Sequence, residues 1–419
     1  MSYTWISAQN LIGGMALGFE NVFGTPNQII TNGVSNDAHY LHYTNEVRKL
    51  NVPVINSNAD YTEFDDTVME PDVIAMTPVC AGLSMLNRNS DGERKRGDCN
   101  NIQNQNMYNL WRFALKQRPK IIAFENAPGL YTKMGEGVCN KLKEIAFDAG
   151  YSMGLYKTNT LYHGVCQFRP RTFAMFYRDT APAIFEYEQK PYKQFADYIA
   201  DVDKNPNAPH FDLQITYKYK HDYLINYLCE YTGTTHYYDA VRKLVASGEI
   251  PEKDNYTSMF IVDCLGIPEC LKYLKNVKAN VTDPDDLKQV NRAIQQCEHV
   301  TDKTSQGKGY FDMTASCILD HTNSIIGKNI NIIHPTEKRP LNLRELMSLM
   351  ALPDDFEMVD PARTWINITQ NVPVCTATFI ASQCKKYLDG ELKLANMNFI
   401  KQTNDKGRLD VGDYAVENW

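Results

Sequence analysis

The sequence predicts an α/β protein built on a doubly wound, mostly parallel sheet. Short, near-continuous apolar runs, which are typical of strands buried on both faces, occur at residues 28–31, 73–76 and 121–124. Residues 104–117 carry a helical stripe, made of Met107, Leu110, Trp111, Ala114 and Leu115, between the second and third of these runs. Strands that alternate with helices favour a parallel sheet with helices on both faces. We predict that residues 173–177 add a later strand to the same sheet.

A change in composition divides the chain. Residues 181–335 are rich in Tyr, Asn, Lys and Asp and show weak periodicity, whereas helical patterns return at residues 343–352 and 374–388. We therefore expect a first domain over residues 1–180, an insertion over residues 181–335, and a C-terminal part, residues 336–419, that returns to the first domain.

Composition limits the class of function. The net charge of -7 argues against a nucleic-acid coat protein that binds by bulk charge. No apolar stretch approaches the roughly 20 residues of a membrane helix, and no secretory signal is recognisable, so we expect no membrane partner and a cytoplasmic location. The 11 cysteines are predicted to be reduced thiols. Their spacing relative to the histidines matches no zinc pattern, so no metal site is predicted.

Two segments place reactive side chains directly after predicted strands. In residues 77–84 (TPVCAGLS), Cys80 is expected at the carboxyl edge of the sheet, where α/β proteins bind ligands and where helix dipoles or cations can ionise a thiol. A cysteine at such a position is more often a packing residue. In residues 124–129 (FENAPG), Glu125 can protonate or hydrogen-bond a ring nitrogen. An isolated acid in a turn is more commonly a cap.

Two further segments are polar. In residues 167–171 (QFRPR), the alternate residues Gln167, Arg169 and Arg171 are expected on one side of an extended chain. Two guanidinium groups can hold a carboxylate, a base carbonyl or a phosphate, although a solvated strand edge is the ordinary interpretation. The fourth segment, residues 342–356 with residues 370–374 (QNVPV), by itself predicts a capped helix and a turn.

Together and in this order, the four segments resemble the cytosine-C5 DNA methyltransferase family. That family carries a Pro-Cys nucleophile loop, Glu-Asn-Val, Gln-x-Arg-x-Arg, a variable recognition insertion, then Arg-Glu and Asn-x-Val-Pro. The resemblance covers roughly residues 1–180 and 334–385. It implies a sheet of the S-adenosylmethionine-dependent methyltransferase type with a smaller inserted target-recognition domain. It also implies that Cys80 adds to C6 of a cytosine flipped out of double-stranded DNA, and that C5 then receives a methyl group.

The resemblance also implies roles for individual residues. Glu125 would bond N3 of the base, Asn126 would shape the turn, Arg171 would hold the cytosine carbonyl, and Arg169 would orient Glu125. The basic, glycine-flanked segment after Cys80 would close over DNA phosphates, although such a run is usually a solvated loop. The predicted DNA-binding residues are Ser84, Arg88, Arg94, Lys95, Arg96 and Gln167.

The implied cofactor is S-adenosyl-L-methionine, but its motifs depart from the family pattern. The opening Phe-x-Gly-x-Gly-Gly is Gln9-Asn10-Leu11-Ile12-Gly13-Gly14 here, so the aromatic residue and the first glycine are missing. Gly33 stands where the family has a ribose-binding acid, and Asp37 is the nearest substitute. The predicted cofactor-binding residues are Gly13, Gly14, Asp37, Asp60, Asn371 and Val372.

These departures leave three functions open. The first is DNA cytosine-C5 methylation. The second is a related C5 modification, such as hydroxymethylation, with methylenetetrahydrofolate or a modified S-adenosylmethionine as the donor. The third is a non-catalytic DNA-binding homologue, against which the intact nucleophile, acid and arginine pair argue. An RNA substrate is a further alternative that the long insertion fits poorly. The sequence does not specify the recognition site, oligomeric state or biological role, although many asparagines and tyrosines favour a phage-like genome and hence the host cytoplasm.

Overall fold

The computed structural model describes residues 2–32, 38–58, 62, 69–84, 91–213, 223–253, 256–301, 316–317, 319–325, 332–337 and 339–404. The chain divides into two compact units, of which the first comprises residues 1–192 and 347–419 and the second residues 193–346. These boundaries lie 12 and 11 residues beyond those expected from composition (192 against 180, and 346 against 335). The difference at the first boundary has a physical cause, since Tyr156 donates a hydrogen bond to Ala183 O and stacks on Phe185.

The strands, numbered in chain order, are β1 (Trp5–Ala8), β2 (Gln28–Thr31), β3 (Val54–Asn56), β4 (Val73–Met76), β5 (Ile121–Asn126), β6 (Tyr151–Asn159), β7 (Gln167–Phe168), β8 (Pro170–Arg178), β9 (Tyr256–Thr257), β10 (Ser316–Cys317), β11 (Thr322–Asn323) and β12 (Phe399–Thr403). The α-helices are α1 (Gly14–Phe23), α2 (Ala38–Leu41), α3 (Gln103–Lys116), α4 (Glu136–Asp148), α5 (Phe195–Val202), α6 (Tyr223–Thr232), α7 (Tyr237–Ala246), α8 (Ser258–Leu265), α9 (Ile267–Asn280), α10 (Pro284–Thr301), α11 (Leu343–Ser348), α12 (Pro361–Thr364) and α13 (Val374–Leu388). Short 3₁₀ turns include Gly92–Arg94, Pro128–Tyr131 and Lys133–Gly135.

The first unit is built on an eight-stranded sheet with the order β12-β6-β8-β5-β4-β1-β2-β3. Among its described strands, β8 alone runs antiparallel, pairing with β5 on one side and β6 on the other. The remaining neighbours pair in parallel. The predicted α/β class and mostly parallel sheet are therefore confirmed, and the predicted runs at residues 28–31, 73–76 and 121–124 lie in β2, β4 and β5.

The core explains why the chain folds in this way. All residues of β4 and β5 are buried, as expected for apolar strands covered on both faces. Helix α3 buries the predicted stripe except for Leu115, which is half-buried, and its Trp111 packs on Phe176 of β8 with the ring centroids 5.1 Å apart. Because β1, β4 and β5 are parallel, their carboxyl ends meet at one edge of the sheet, and the loops that follow them are brought together there.

The second unit is mainly helical and contains α5 to α10, with a short antiparallel pair formed by β9 and β10. The predicted helix over residues 343–352 is shorter than expected, since α11 ends at Ser348. The chain turns there because Ala351 adopts φ +53° and donates its N–H to Ser348 O. Within the described residues, no helix combines the length and the apolar character needed to cross a membrane.

Candidate active site

The predicted nucleophile lies in the loop that follows β4. Cys80 is half-buried, and its carbonyl accepts the N–H of Leu83 at 3.0 Å, which closes a tight turn. Thr77, at the start of the loop, donates from Oγ1 to Gln9 O at 2.8 Å. The cysteine therefore lies at the carboxyl edge of the sheet, on a loop that is tied to the end of β1.

Glu125 and Asn126 end the neighbouring strand, β5. Glu125 is 4% exposed and Asn126 is fully buried. Asn126 Oδ1 accepts the N–H of Ala127 at 2.9 Å, while its Nδ2 lies 3.6 Å from Met107 Sδ. The asparagine thus stabilises the turn at the end of the strand, and the turn leaves the Glu125 carboxylate at the sheet edge.

The two arginines on the adjacent segment have different partners. Arg171 Nε lies 3.0 Å from Glu125 Oε1, and its Nη1 donates to Pro170 O. Arg169 is fully buried and donates from Nη2 to Thr369 O at 2.6 Å and to Asn371 O at 2.8 Å. Arg171 thus forms an ion pair with Glu125, while Arg169 ties the start of β8 to the segment before α13 and its charge also acts on Glu125.

Charges and burial act on the thiol and the carboxyl group together. Burial, and next the charge of Glu125, raises the pKa of Cys80 to about 11, while Arg171 and Arg169 oppose this rise. Burial also raises the pKa of Glu125 against the opposing effect of the same two arginines. Each group thus favours its protonated form, and the arginines favour negative charge at both.

The basic segment between Cys80 and α3 is described from residue 91 onward, so Arg88 lies outside the described residues. Arg94 and Lys95 are exposed, whereas Arg96 and Ser84 are half-buried. The segment is fastened at several points: Gly97 donates its N–H to Gly82 O at 2.9 Å, and Asn101 donates from Nδ2 to Lys95 O at 2.8 Å. Its exposed cations are therefore carried on a backbone that is anchored to the turn after Cys80.

Gln167 does not have the surroundings expected of a DNA-binding residue. Its side chain is fully buried, and its Nε2 donates to Leu349 O at 2.6 Å and lies 3.7 Å from Met350 Sδ. The expectation that it faces DNA is corrected on this point. The alternation argument fails because residues 167–171 do not form one continuous strand: β7 ends at Phe168 and β8 begins at Pro170.

The glycines at the start of α1 are required by the packing of the chain. Gly13 adopts φ +106°, and a Cβ on Gly14 would lie 1.8 Å from Val372 O and 2.4 Å from Asn371 Nδ2. Asn371 Oδ1 also accepts the N–H of Gly14 at 3.1 Å. The four predicted cofactor-binding residues that are described therefore form one cluster. Asp37 and Asp60 lie outside the described residues.

The missing glycine of the opening motif has a clear structural consequence. Leu11, which stands at that position, adopts the left-handed conformation with φ +53°, and Gln9 does the same with φ +46°. The backbone thus keeps the conformation that suits glycine, with side chains attached at a cost of about 1–3 kcal/mol each.

Three amide atoms of this cluster are buried without a hydrogen-bond partner among the described residues, namely Gln9 Oε1, Asn10 Nδ2 and Asn371 Nδ2. Buried amide groups normally find partners, so unpaired ones at a sheet edge indicate a place for a polar ligand. The set offers both donors and an acceptor, which fits a zwitterionic group such as an amino acid. The sequence marked Gln9 only as a departure from a motif and Asn10 as an unconstrained position within it, and nothing indicated that they carry unpaired atoms.

One cluster in the second unit has the composition of a metal site. Asp203, His334 and Glu337 bring their ligand atoms within 4.8 Å of one another. However, His334 Nδ1 accepts the N–H of Glu337 at 2.9 Å, and its Nε2 lies 3.2 Å from Asp203 Oδ2. A metal-bound imidazole donates a proton from its second nitrogen, whereas Nδ1 here faces a backbone donor. The geometry is that of a hydrogen-bonded histidine.

Comparisons with known proteins agree with this arrangement. A family model described as C-5 cytosine-specific DNA methylase matches residues 4–386. No match was found among curated proteins. A candidate DNA modification methyltransferase encoded within an E. coli prophage is 16% identical with a TM-score of 0.53, over 93% of this chain and 100% of that chain. The Entamoeba histolytica methyltransferase EhMeth is 12% identical with a TM-score of 0.51, over 93% and 99% of the two chains. At these identities the solved structures establish the shared fold.

Proposed function

Because the chain belongs to the C-5 cytosine-specific DNA methylase family, we propose that it methylates C5 of cytosine in double-stranded DNA by covalent catalysis through Cys80. That the chain is a DNA methyltransferase follows from the family itself. The observation that supports the covalent route is the buried ion pair between Arg171 and Glu125 at the sheet edge, where both charges act on the Cys80 thiol.

The chemistry follows from the weak nucleophilicity of cytosine C5. The Cys80 thiolate forms a bond to C6, the C5–C6 double bond opens, and N3 takes a proton from Glu125, which leaves an enamine with a nucleophilic C5. C5 then forms a bond to the methyl group, whose bond to the donor breaks with its electron pair remaining on the donor. Loss of the C5 proton to a base expels the sulfur of Cys80 and restores the aromatic ring. Glu125 regains its proton as N3 releases it, so the enzyme is unchanged after each turnover.

The surrounding residues position these groups. Arg171 holds the Glu125 carboxyl group, and it is also proposed to hold the carbonyl oxygen of the base. Asn126 fixes the turn that carries Glu125, and Arg169 fixes β8 against Thr369. A half-buried thiol at the edge of a sheet is not expected to reach C6 inside a stacked duplex, so we propose that the cytosine is flipped out of the helix.

S-adenosyl-L-methionine is the proposed methyl donor, and it supplies an electrophilic methyl group. Its amino-acid end carries a carboxylate and an ammonium group, which match the unpaired donors of Asn10 and Asn371 and the unpaired acceptor of Gln9. Gly13 and Gly14 keep the start of α1 close to this cluster. The predicted contacts of Asp37 and Asp60 with the ribose and adenine, and that of Val372, remain proposals.

The DNA would lie across the edge that carries the basic segment. Arg94, Lys95 and Arg96 are proposed to contact phosphates, together with Ser84 and Arg88. The insertion predicted over residues 181–335, most of which forms the second unit, is the proposed target-recognition domain, and residues 336–419 return to the catalytic domain. The chain shares its fold with a prophage-encoded protein, and we propose on this basis that it is a phage protein that acts in the host cytoplasm.

Mass spectrometry of cytosine nucleosides tests the reaction. Incubation of the protein with DNA and S-adenosylmethionine is expected to yield 5-methylcytosine. Because the opening turn has Leu11 in place of glycine, a different donor remains an alternative, and a parallel incubation with methylenetetrahydrofolate tests it. A larger group on C5 after the incubation with methylenetetrahydrofolate would mean that the protein carries out the related C5 modification instead of methylation. Retained DNA binding with no product from either donor would contradict catalysis altogether.

Trapping tests the covalent step. DNA that contains 5-fluorocytosine lacks the C5 proton that must be lost, so the protein should remain attached to it under denaturing conditions. Cys80→Ser should abolish the adduct. Cys99→Ser is the matched control, because Cys99 is also half-buried but lies in the anchored basic segment. An adduct that survives Cys80→Ser would refute the role of this thiol.

A further inference from the structure

Lys401 lies on β12, beyond the last residue that the family model matches. Its side chain is almost fully buried, being 4% exposed, and its Nζ donates to Tyr131 O at 2.7 Å. The same Nζ lies 4.8 Å from the centroid of the Tyr131 ring. A buried ammonium group is stabilised by such a charge-assisted hydrogen bond and by the face of an aromatic ring, so the contact with Tyr131 is specific.

Tyr131 belongs to the turn that follows Glu125 and Asn126. This turn, Pro128–Tyr131, packs directly on the turn after the nucleophile, because a Cβ on Gly129 would lie 2.4 Å from Leu83 O. Leu83 in turn donates its N–H to Cys80 O. A continuous set of contacts therefore runs from the Lys401 side chain, through the backbone of the Pro128–Tyr131 turn, to Cys80.

A second buried lysine also lies near the Tyr131 ring. Lys157 of β6 is fully buried, and its Nζ lies 5.7 Å from the Tyr131 centroid. Strand β12 pairs in parallel with β6, so that Lys401 lies opposite Leu155 and Thr403 lies opposite Lys157. The pairing of the two strands thus brings both ammonium groups to the same aromatic ring. The hydrogen bond from Lys401, however, reaches the backbone of the turn itself.

We propose that Lys401 is a positioning residue, which holds the Pro128–Tyr131 turn against the Cys80 turn and so sets the distance between the thiol and the Glu125 carboxyl group. The inference builds on the proposed function, since it concerns the same site. It assigns a role in that site to the C-terminal strand β12, which contributes no side chain to the group of Cys80, Glu125 and the two arginines.

Lys401→Met tests the proposal, because methionine fills a similar volume and removes both the charge and the donor. We expect kcat to fall about tenfold, as for a small displacement of catalytic groups, with KM for DNA within twofold of the wild type. Lys143→Met is the matched control. Lys143 Nζ also lies over a ring, that of Phe399 on the same strand β12, at 4.4 Å, but the contact does not involve the turn. Its kcat should stay at the wild-type value.

The rate at which iodoacetamide alkylates each cysteine, measured by peptide mass spectrometry, provides a readout that does not require activity. In Lys401→Met the rate at Cys80 should change at least threefold, while the exposed Cys264 and the buried Cys384 keep their wild-type rates. A parallel increase at Cys384 would mean general loosening of the fold and would overturn the positioning role. An unchanged rate at Cys80 together with an unchanged kcat would overturn it as well.

Gly129→Ala provides a second route to the same contact, because it separates the two turns without touching Lys401. It should reproduce the lower kcat and the altered alkylation of Cys80, and wild-type values in this variant would refute the proposal even if Lys401→Met failed to fold. If the wild-type protein itself formed no methylcytosine, the proposed function would fail. The alkylation rates would still decide whether Lys401 positions Cys80.

Discussion

Replacing Glu125 with glutamine should separate the reactivity of Cys80 from turnover. The carboxylate has two effects on the site. Its charge, acting after burial, helps to raise the pKa of Cys80, and its proton is the one proposed to reach N3 of the base. Glutamine has nearly the same shape but has neither the charge nor the acidic proton. The variant should therefore react faster with a simple electrophile and more slowly with DNA.

The magnitudes follow from the site. The pKa of Cys80 is about 11, so pH 8 lies three units below it and about 0.1% of the thiol is ionised. Each unit by which removal of the Glu125 charge lowers the pKa of Cys80 raises that fraction roughly tenfold. Loss of a general acid, in contrast, typically slows turnover by about 10²–10⁴-fold. The two effects have opposite signs and are both large enough to measure.

The assay pairs two measurements on the same protein samples. Iodoacetamide labelling, followed by peptide mass spectrometry, gives the rate at Cys80, with the exposed Cys264 as an internal reference. Methyl transfer to DNA gives turnover. Glu144→Gln, which removes an exposed carboxylate from α4, is the control and should leave both rates unchanged.

Two results would refute this reasoning. Labelling of Cys80 at the wild-type rate or slower in Glu125→Gln would mean that the carboxylate does not act on the thiol. Methylation at the wild-type rate would mean that Glu125 does not protonate the base. A loss of methylation with accelerated labelling is the only combination that agrees with both proposed roles.

Two further predictions concern stability. Gly14→Ala should lower the free energy of unfolding by about 1–3 kcal/mol through overpacking, because its Cβ would lie 1.8 Å from Val372 O. Gly137→Ala is the control and should leave stability unchanged, because the nearest atom to its Cβ would be 3.6 Å away. Equal denaturant midpoints for the two variants would contradict this prediction. Burial, and next His42, lowers the pKa of His39 to about 4 from 6.5, so the unfolded chain takes up the proton first as the pH falls. The free energy of unfolding should therefore fall by up to about 3 kcal/mol as the pH is lowered from 6.5 towards 4. Urea unfolding at several pH values will measure this loss, which should be smaller in His39→Gln.

The sequence predicted those elements whose pattern is periodic and local. Strands β2 and β4 and helix α13 have the expected bounds, because an apolar run or stripe with clear ends leaves little choice of structure. The antiparallel direction of β8 was not predictable, since an apolar strand buried on both faces reads the same in either direction. The early end of α11 depends on a left-handed residue, Ala351, that has no signal in its residue type.

The sequence predicted the members of the candidate site, which stay a prediction, but it did not predict how they pair in the structure. Motif order brought Cys80, Glu125 and the two arginines together, and the structure has them in mutual electrostatic contact. Arg171 pairs with Glu125 and Gln167 lies in the interior, and a break between β7 and β8 separates these two residues. Such a break is a property of tertiary packing, which alternation along the chain does not encode.

Burial raises the pKa of both Cys80 and Glu125, and we propose that this keeps the site unreactive until a base arrives. The charge of Glu125 raises the pKa of the Cys80 thiol, so ionisation of the thiol depends on whether the carboxyl group is protonated. Protonation of Glu125 removes a charge that raises the pKa of the thiol, and the proposed attack on C6 with protonation of N3 requires that same microstate, a carboxylic acid beside a thiolate. The arginines stabilise whichever group is ionised. In the proposed mechanism the acid and the nucleophile are then activated in the same microstate, which would couple the attack on C6 to the protonation of N3.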